Sequence, residues 1–172
     1  MEVIQCKHLN IDIPFIPKNK YGIYPDGTVI NLYTKTMVSP FKREEELYVN
    51  LFGDYKRTAR PVSILLAKTY LHQTDEDRKF KRNKADVIDL DRRPKLNNVR
   101  WVSSFEKSLI KQMKKNRPTC NMDYVDYFCK LFHHGYTVDE ACRFLNFNNI
   151  LYASNIRNRR IYSDMSSKYT WK

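Results

Sequence analysis

Three carboxylates lie close together in the segment ADVIDLD, at Asp86, Asp89 and Asp91. Such side chains can collect a divalent cation, although alternation on a strand would equally leave them facing solvent. Hydrolytic chemistry would also need a base, and His72 is expected to close a helix rather than to accept a proton. The carboxylates are therefore a candidate metal site without an evident base.

A second group of residues with useful chemistry lies near the C-terminus. A helix is predicted over 149–157, because Ile150, Ala153 and Ile156 recur at helical spacing and would be buried. The residues predicted to lie outside this core are Asn149, Tyr152, Asn155 and Arg157. Amide and guanidinium groups on one helix face can form paired hydrogen bonds with adenine and guanine edges.

The overall charge favours a polyanionic partner. The chain of 172 residues has 31 Lys and Arg against 19 Asp and Glu, a formal net charge of +12. This excess produces a positive field that attracts nucleic acid. The basic residues predicted to contact phosphates are Arg159, Arg160 and Lys168 beside the helix, and Lys111, Lys114 and Lys115 upstream of it.

The elements that must position the helix over 149–157 are two shorter helices. Apolar residues from Met122 to Phe132 recur at helical spacing, and Gly135 follows them as a stop signal. Thr137 and Glu140 form a capping box at the start of the next helix, and the turn NFNN comes after it. Three such helices describe a helix-turn-helix unit, although a helical bundle with a basic surface fits the same pattern.

The N-terminal half is predicted to be rich in strands. Residues 25–27 supply turn chemistry between two short β segments, and alternation predicts strands at 46–52 and 57–62. The apolar run over 62–71 predicts a buried helix, whereas the charged segment 74–85 is expected to be a solvated loop.

A third group of signals divides the chain. Strand-like segments ADVIDLD and VRWV precede Ser103 and Glu106, which match a capping box and predict a helix over 104–115. The basic stretch after this helix ends in proline and indicates a linker. The predicted divisions are an α+β domain over 1–108, a helix end and linker over 109–118, and a helical module over 119–172.

Several segments in order resemble phage-type HNH homing endonucleases. YGIYPDGTVINL resembles the family's opening strand, and YVNLFGDYKRTARPVSILLAKTYL resembles its hairpin and following helix. NNVRWVSSFEKS resembles the closing segment, and GYTVDEACRFLNFNNILYASNIRNRRIYSDMSSKYTW resembles the C-terminal helix-turn-helix tail. The resemblance implies an α+β fold with a small antiparallel sheet and a ββα-metal-like element, followed by an all-α helix-turn-helix module.

The resemblance also identifies where the chemistry of active members would lie. Asp86 matches their metal-binding Asp, and Asn98 matches the Asn that holds the site's geometry. Val87 stands at the position of the catalytic His, and Lys107 stands at the helix ligand position, where its ammonium would repel a divalent cation. Catalytic residues are therefore not expected, and these four positions are vestigial.

The function implied is sequence-specific binding of double-stranded DNA by a protein derived from an HNH homing endonuclease, acting as a transcriptional regulator or repressor. Two alternatives stay open. One is an active HNH endonuclease or nickase, with Mg²⁺ bound by Asp86 as its cofactor. The other is a phage protein that docks on RNA polymerase or another host machine. Whether the protein forms a homodimer is left open. No cofactor is expected unless the nuclease is active.

The compartment is predicted from the cysteines and the N-terminus. No C-x-x-C pair occurs, although Cys129 and His133 could ligate zinc together with Cys120 and Cys142 if these positions did not also suit apolar helix faces. No signal peptide or spanning segment is evident, so no membrane partner is expected. We expect an intracellular protein, which the resemblance assigns to the cytoplasm of a bacterial host.

Overall fold

The computed structural model describes residues 5–9, 16–44, 46–89, 91–116, 118–119 and 121–170, which form two compact units over 1–110 and 111–172. The strands are β1 Lys7–His8, β2 Tyr21–Ile23, β3 Val29–Asn31, β4 Thr36–Met37, β5 Pro40–Arg43, β6 Glu46–Phe52, β7 Arg57–Pro61, β8 Lys84–Val87 and β9 Val99–Val102. The helices are α1 Val62–Tyr70, α2 Asp75–Lys79, α3 Ser104–Lys115, α4 Val125–His133, α5 Val138–Leu145, α6 Ile150–Arg157 and α7 Ser163–Ser166.

The first unit consists of three small antiparallel sheets and the helices that cover them. Their orders are β1-β2-β3-β4, β5-β6-β7 and β8-β9. The predicted turn at 25–27 joins β2 to β3, and the predicted strands at 46–52 and 57–62 correspond to β6 and β7. The mixed α and β character expected from the sequence is therefore present.

The core of the first unit forms around α1. Val62, Leu65 and Leu66 are fully buried in this helix, and they share an apolar cluster with Val49 and Leu51 of β6. Alternation along β6 directs these two residues to the same face of the sheet. The predicted buried helix over 62–71 is confirmed, with α1 ending at Tyr70.

The charged segment 74–85 is not the solvated loop that its composition predicted. It contains α2, whose N-cap Thr74 exchanges hydrogen bonds with Asp77 in a capping box. Apolar periodicity is absent from this segment because α2 has five residues and its stabilising contacts are polar. The segment then continues into β8.

A buried ion-pair cluster holds α2 against the start of α3. Glu106 is fully buried, and its carboxylate accepts hydrogen bonds from Arg82 Nε at 2.8 and 3.1 Å. Arg82 Nη1 reaches the carboxylates of Glu76 and Asp77 at 3.0 and 3.3 Å. Glu106 Oε2 also accepts from the Ser103 amide at 2.6 Å, which confirms the predicted capping box. One carboxylate therefore starts α3 and neutralises Arg82.

The second unit is helical throughout its described residues, apart from turns. Phe128, Phe132, Ala153 and Ile156 are buried between α4 and α6. The predicted capping box of Thr137 and Glu140 is present at α5. Two predicted core residues are exposed instead. Met122 is 57% exposed because it precedes α4 in a 3₁₀ turn, and Ile150 is 54% exposed because the buried stripe of α6 begins only at Ala153.

The predicted helix over 104–115 is present as α3, so the stretch that was interpreted as helix end and linker is helical as far as Lys115. The boundary between the two compact units falls within this helix, after residue 110. Among the described residues, no helix combines the length and apolar character needed to cross a membrane.

We predict that Glu106→Gln lowers the free energy of unfolding by about 2 kcal/mol, because Arg82 loses its charge-assisted hydrogen bonds to a fully buried carboxylate and keeps only its pairs with Glu76 and Asp77. Gln keeps an oxygen for the capping box, so the loss reports mainly the missing charge. Urea unfolding measures the change. Asp75→Ala is the control, since its pair with Arg78 has 98% and 70% exposed side chains and should change stability by less than about 0.5 kcal/mol. Equal effects of the two substitutions would contradict the prediction.

Candidate nucleic-acid interface

The β8–β9 hairpin carries Asp86, which by resemblance matches the metal-binding Asp of active nucleases and would bind Mg²⁺ only in the endonuclease alternative. Asp86 is 3% exposed, and its Oδ1 accepts a hydrogen bond from the Val87 amide at 2.8 Å. The strand register places Asp86 opposite Arg100. The carboxylate therefore lies inside the unit, where a charge requires polar or charged neighbours.

The neighbouring positions supply a different chemistry from that of a metal site. Val87 is half-buried on the same strand and has no atom that could accept a proton. Lys107 Nζ lies 2.7 Å from Glu46 Oε1 and 3.5 Å from the Ala85 carbonyl oxygen. The sequence predicted only that this ammonium would repel a cation. In the structure it also ties α3 to β6 and fixes a positive charge one residue from Asp86.

These residues do not fit a divalent cation. Asp89, the second carboxylate of the candidate metal site, pairs with Arg92 Nε at 3.0 Å and accepts a hydrogen bond from the Asp91 amide. Within the described ranges, no group of three or more His, Cys, Asp or Glu side chains is placed to hold a metal ion. Divalent cations such as Mg²⁺ need several oxygen ligands, and this position combines one carboxylate with an ammonium and an alkyl group.

The loop between β8 and β9 is held by Asn98. This buried side chain accepts a hydrogen bond from the Asp89 amide at 2.7 Å, and its Nδ2 donates to the carbonyl oxygens of Asp89, Arg92 and Arg93 at 3.2 to 3.3 Å. The sequence identified Asn98 only through the resemblance. Its contacts make it the residue that fixes the backbone of a basic loop.

The loop between β8 and β9 presents a cationic surface that was not predicted from the sequence. Its exposed side chains include Arg92, Arg93 and Lys95. The loop is anchored at its base, since the Leu96 amide donates to the Pro25 carbonyl oxygen at 2.7 Å. Gly27 has a φ of +89°, and a Cβ there would lie 2.5 Å from the Pro94 carbonyl oxygen. The signal available in the sequence was the short basic run beside a proline and two asparagines.

A second overlooked surface lies at the β6–β7 hairpin. Phe52 is 52% exposed and Tyr55 is 93% exposed, and the exposed cations Lys56 and Arg57 follow directly. Exposed aromatic rings next to cations suit contacts with sugars, bases and phosphates. The strand alternation was visible in the sequence, but the exposure of the aromatic residues was not.

Two of the predicted base-reading residues on α6 are used within the second unit instead. Arg157 is half-buried, its Nη1 donates to the Tyr136 carbonyl oxygen at 3.1 Å, and its guanidinium lies 5.6 Å from the centre of the Phe132 ring. The ring of Tyr152 packs against the rings of Phe147 and Tyr162. The prediction that both side chains face outward was wrong, because helical spacing does not show which neighbours compete for a long side chain.

The other predicted readers keep positions on the outside of α6. Asn149 is the exposed N-cap residue, and its Oδ1 accepts from the Tyr152 amide at 2.9 Å. Asn155 lies on the helix side away from buried Ala153 and Ile156. An amide at this position retains the donor and acceptor pair that suits adenine.

The predicted phosphate-contacting cations are mostly exposed. The exposed members are Lys111, Lys115, Arg159, Arg160 and Lys168, whereas Lys114 is half-buried. Arg159 has a φ of 56° and donates through Nη2 to the Tyr169 carbonyl oxygen at 3.2 Å. Its side chain therefore also holds the C-terminal segment, a role that the sequence did not indicate.

Two cysteines of the second unit, Cys129 and Cys142, are buried. Burial raises the pKa of Cys129 to about 11, with nearby Asp126 as a smaller cause, and burial also raises the pKa of Cys142. Zinc binds the thiolate, which this environment disfavours. Cys120, the third cysteine of the zinc interpretation, lies outside the described residues.

We predict that Arg157→Ala destabilises the second unit by about 1 to 2 kcal/mol, because it removes a hydrogen bond to a backbone carbonyl and a cation–π contact. Amide hydrogen exchange in α4 and α6 measures the loss. Arg160→Ala is the matched control, since this exposed side chain lies three residues further on and its removal should leave exchange unchanged. Unchanged hydrogen-exchange protection in Arg157→Ala would contradict a stabilising role for this side chain.

No protein-family model matches the chain, and no curated protein matches it in sequence. Among solved structures, the chain is similar to one described as "DNA binding and cleavage by the HNH homing endonuclease I-HmuI". The two share 15% sequence identity with a TM-score of 0.49, over 84% of this chain and 85% of that chain. At this identity the activity of the relative does not transfer, so the residues of this chain decide what it can do.

Proposed function

We propose that this protein binds double-stranded DNA in a sequence-specific manner and acts by occupying its site. The observation that carries the proposal is the geometry of α5 and α6. Asn146 ends α5 in a left-handed conformation, with φ 52° and ψ 46°, and α6 begins only four residues later. A tight turn between two short helices is the arrangement of a helix-turn-helix unit, in which the second helix enters the major groove.

The packing of α6 supports this role. Ala153 and Ile156 seat the helix on the apolar faces of the unit, while Phe147 and Tyr152 close the turn that precedes it. A helix that reads bases must be held rigidly, because the hydrogen bonds it makes are directional. The major groove of B-DNA, about 12 Å wide, accepts a single helix.

The surface charge supports DNA as the partner. Exposed cations follow α6 at Arg159 and Arg160, and a basic loop carries Arg92 and Arg93 in the first unit. Contacts between such side chains and phosphates give affinity and orientation without sequence information. The asparagine-held loop would contact phosphates with little loss of conformational freedom, because its backbone is fixed before binding.

We propose that the first unit keeps the frame of an HNH nuclease without its chemistry. Asp86 and Asn98 match the family's metal-binding Asp and structural Asn in the sequence, but Val87 cannot act as a base and Lys107 has an ammonium where a ligand would be needed. We therefore propose that no Mg²⁺ binds here and that DNA is not cut. A protein that binds a DNA site without cutting it excludes other proteins from that site, and transcriptional repression is the simplest use.

We predict that Arg160→Ala and Lys115→Ala each weaken binding to preferred and random duplexes alike. Each should also reduce the slope of log K against log salt by about one, because one phosphate contact is lost. Titrations of both duplexes at several salt concentrations measure these effects. Lys130→Ala is the control, since its ammonium is already paired with Asp126 at 2.6 Å and should leave the slope unchanged. Slopes equal to that of the parent protein in both test variants would contradict the phosphate assignment.

We further predict no strand cleavage in the presence of Mg²⁺ or Mn²⁺ under conditions in which the preferred duplex is fully bound. Loss of a positioned general base typically lowers the rate by about a hundredfold or more. A supercoiled plasmid carrying the preferred site detects both nicking and double-strand breaks. Nicking that disappears in Asp86→Ala would overturn the proposal and support the endonuclease alternative.

A further inference from the structure

The outward face of α6 has a restricted chemistry. Leu151, Ser154, Asn155 and Asn158 follow the i, i+3, i+4, i+7 spacing that places residues on one helical stripe. Leu151 is 72% exposed, Asn158 is exposed, and the two residues between them are half-buried. We name these four residues the α6 stripe. It contains an alkyl group, a hydroxyl and two amides, and it has no charged side chain.

The absence of charged side chains from the α6 stripe is informative because each base is recognised by different types of side chain. Guanine is most often read by Arg or Lys, and cytosine by Asp or Glu. The arginine of α6, Arg157, is held by the Tyr136 carbonyl oxygen and the Phe132 ring. Adenine is read by Asn or Gln, and thymine by apolar contact with its 5-methyl group. The α6 stripe contains only the amide and apolar groups that recognise adenine and thymine.

We infer that the α6 stripe reads A·T base pairs in the major groove, with Leu151 contacting a thymine methyl group and Asn155 bonding to an adjacent adenine. This inference rests on the proposed function and names the class of base pair that the reading helix takes.

The position of Leu151 supports this assignment. A single exposed leucine needs no explanation, but Ile150 beside it is 54% exposed, and both lie at the N-terminal end of α6. In helix-turn-helix proteins the N-terminal residues of the second helix contact base edges. Ile150 also lines a groove with Asp139, Arg143, Asn146 and Asn148, together with Cys142 and Phe147, so amide groups and charges of both signs lie beside it. Methyl groups set among the polar edges of bases match this surface.

Replacing thymine by deoxyuridine tests the contact directly, because it removes only the 5-methyl group. The full-length protein is first used to enrich its preferred duplex from a random library, and we expect an A·T-rich core in the enriched sequences. Deoxyuridine is then placed at each thymine of that core in turn. At one or two positions binding should weaken about fourfold, as expected for one buried methyl group.

The protein variants assign that loss to one side chain. Leu151→Ala should bind the thymine duplex more weakly and should no longer distinguish thymine from deoxyuridine, whereas Leu151→Met should keep the distinction. Met37→Ala is the matched control, because Met37 is 77% exposed in the first unit and should leave both affinities unchanged. Since Leu151 is 72% exposed, its replacement should not disturb folding.

Failure of the inference and failure of the proposed function give different results. A G·C-rich preferred core, equal binding of thymine and deoxyuridine duplexes, or a distinction that persists in Leu151→Ala would overturn the inference alone. Absence of any preference among duplex sequences would overturn the proposed sequence-specific function and the inference with it.

Discussion

The buried carboxylate of Glu106 is the constraint on which the first unit depends. Its two oxygens serve the Ser103 amide at the start of α3 and the guanidinium of Arg82, which also gathers Glu76 and Asp77. Arg82 lies two residues before β8, so the same contact fixes where the strand with Asp86 begins. Because a fully buried carboxylate without a partner is strongly unfavourable, Glu106 requires Arg82, and this pair joins α2, β8 and the start of α3.

Charge balance also stabilises the β8–β9 hairpin. Lys107 supplies a fixed positive charge to this hairpin through its hydrogen bonds to Glu46 and to the carbonyl oxygen of Ala85. An ammonium held by its own chain needs no ion from solution, and it disfavours one by repulsion. The hairpin therefore keeps its geometry without an ion from solution.

Local signals in the sequence predicted much of this fold. The capping boxes at Ser103 and Thr137 set the starts of α3 and α5, since each needs only a hydroxyl and a carboxylate three residues apart. The alternation of apolar and polar residues likewise predicted the strands β6 and β7. The failures concern contacts between distant residues. No pattern near Arg82 reveals that its partner is Glu106, and that partner turns a segment which looks solvated into a buried junction.

The same limit applies to the side chains of α6. Helical spacing divides a helix into a buried and an exposed face. A long side chain at the boundary between the two faces can instead bond to nearby groups of the fold. Arg157 donates a hydrogen bond to the carbonyl oxygen of Tyr136, between α4 and α5, and the ring of Tyr152 packs against those of Phe147 and Tyr162. Stabilising the small helical unit thus uses the arginine that would otherwise suit guanine. The side chains that remain outside, Leu151 and Asn155, are shorter and uncharged, so the packing of the module would restrict the base pairs that α6 could read in the proposed complex with DNA.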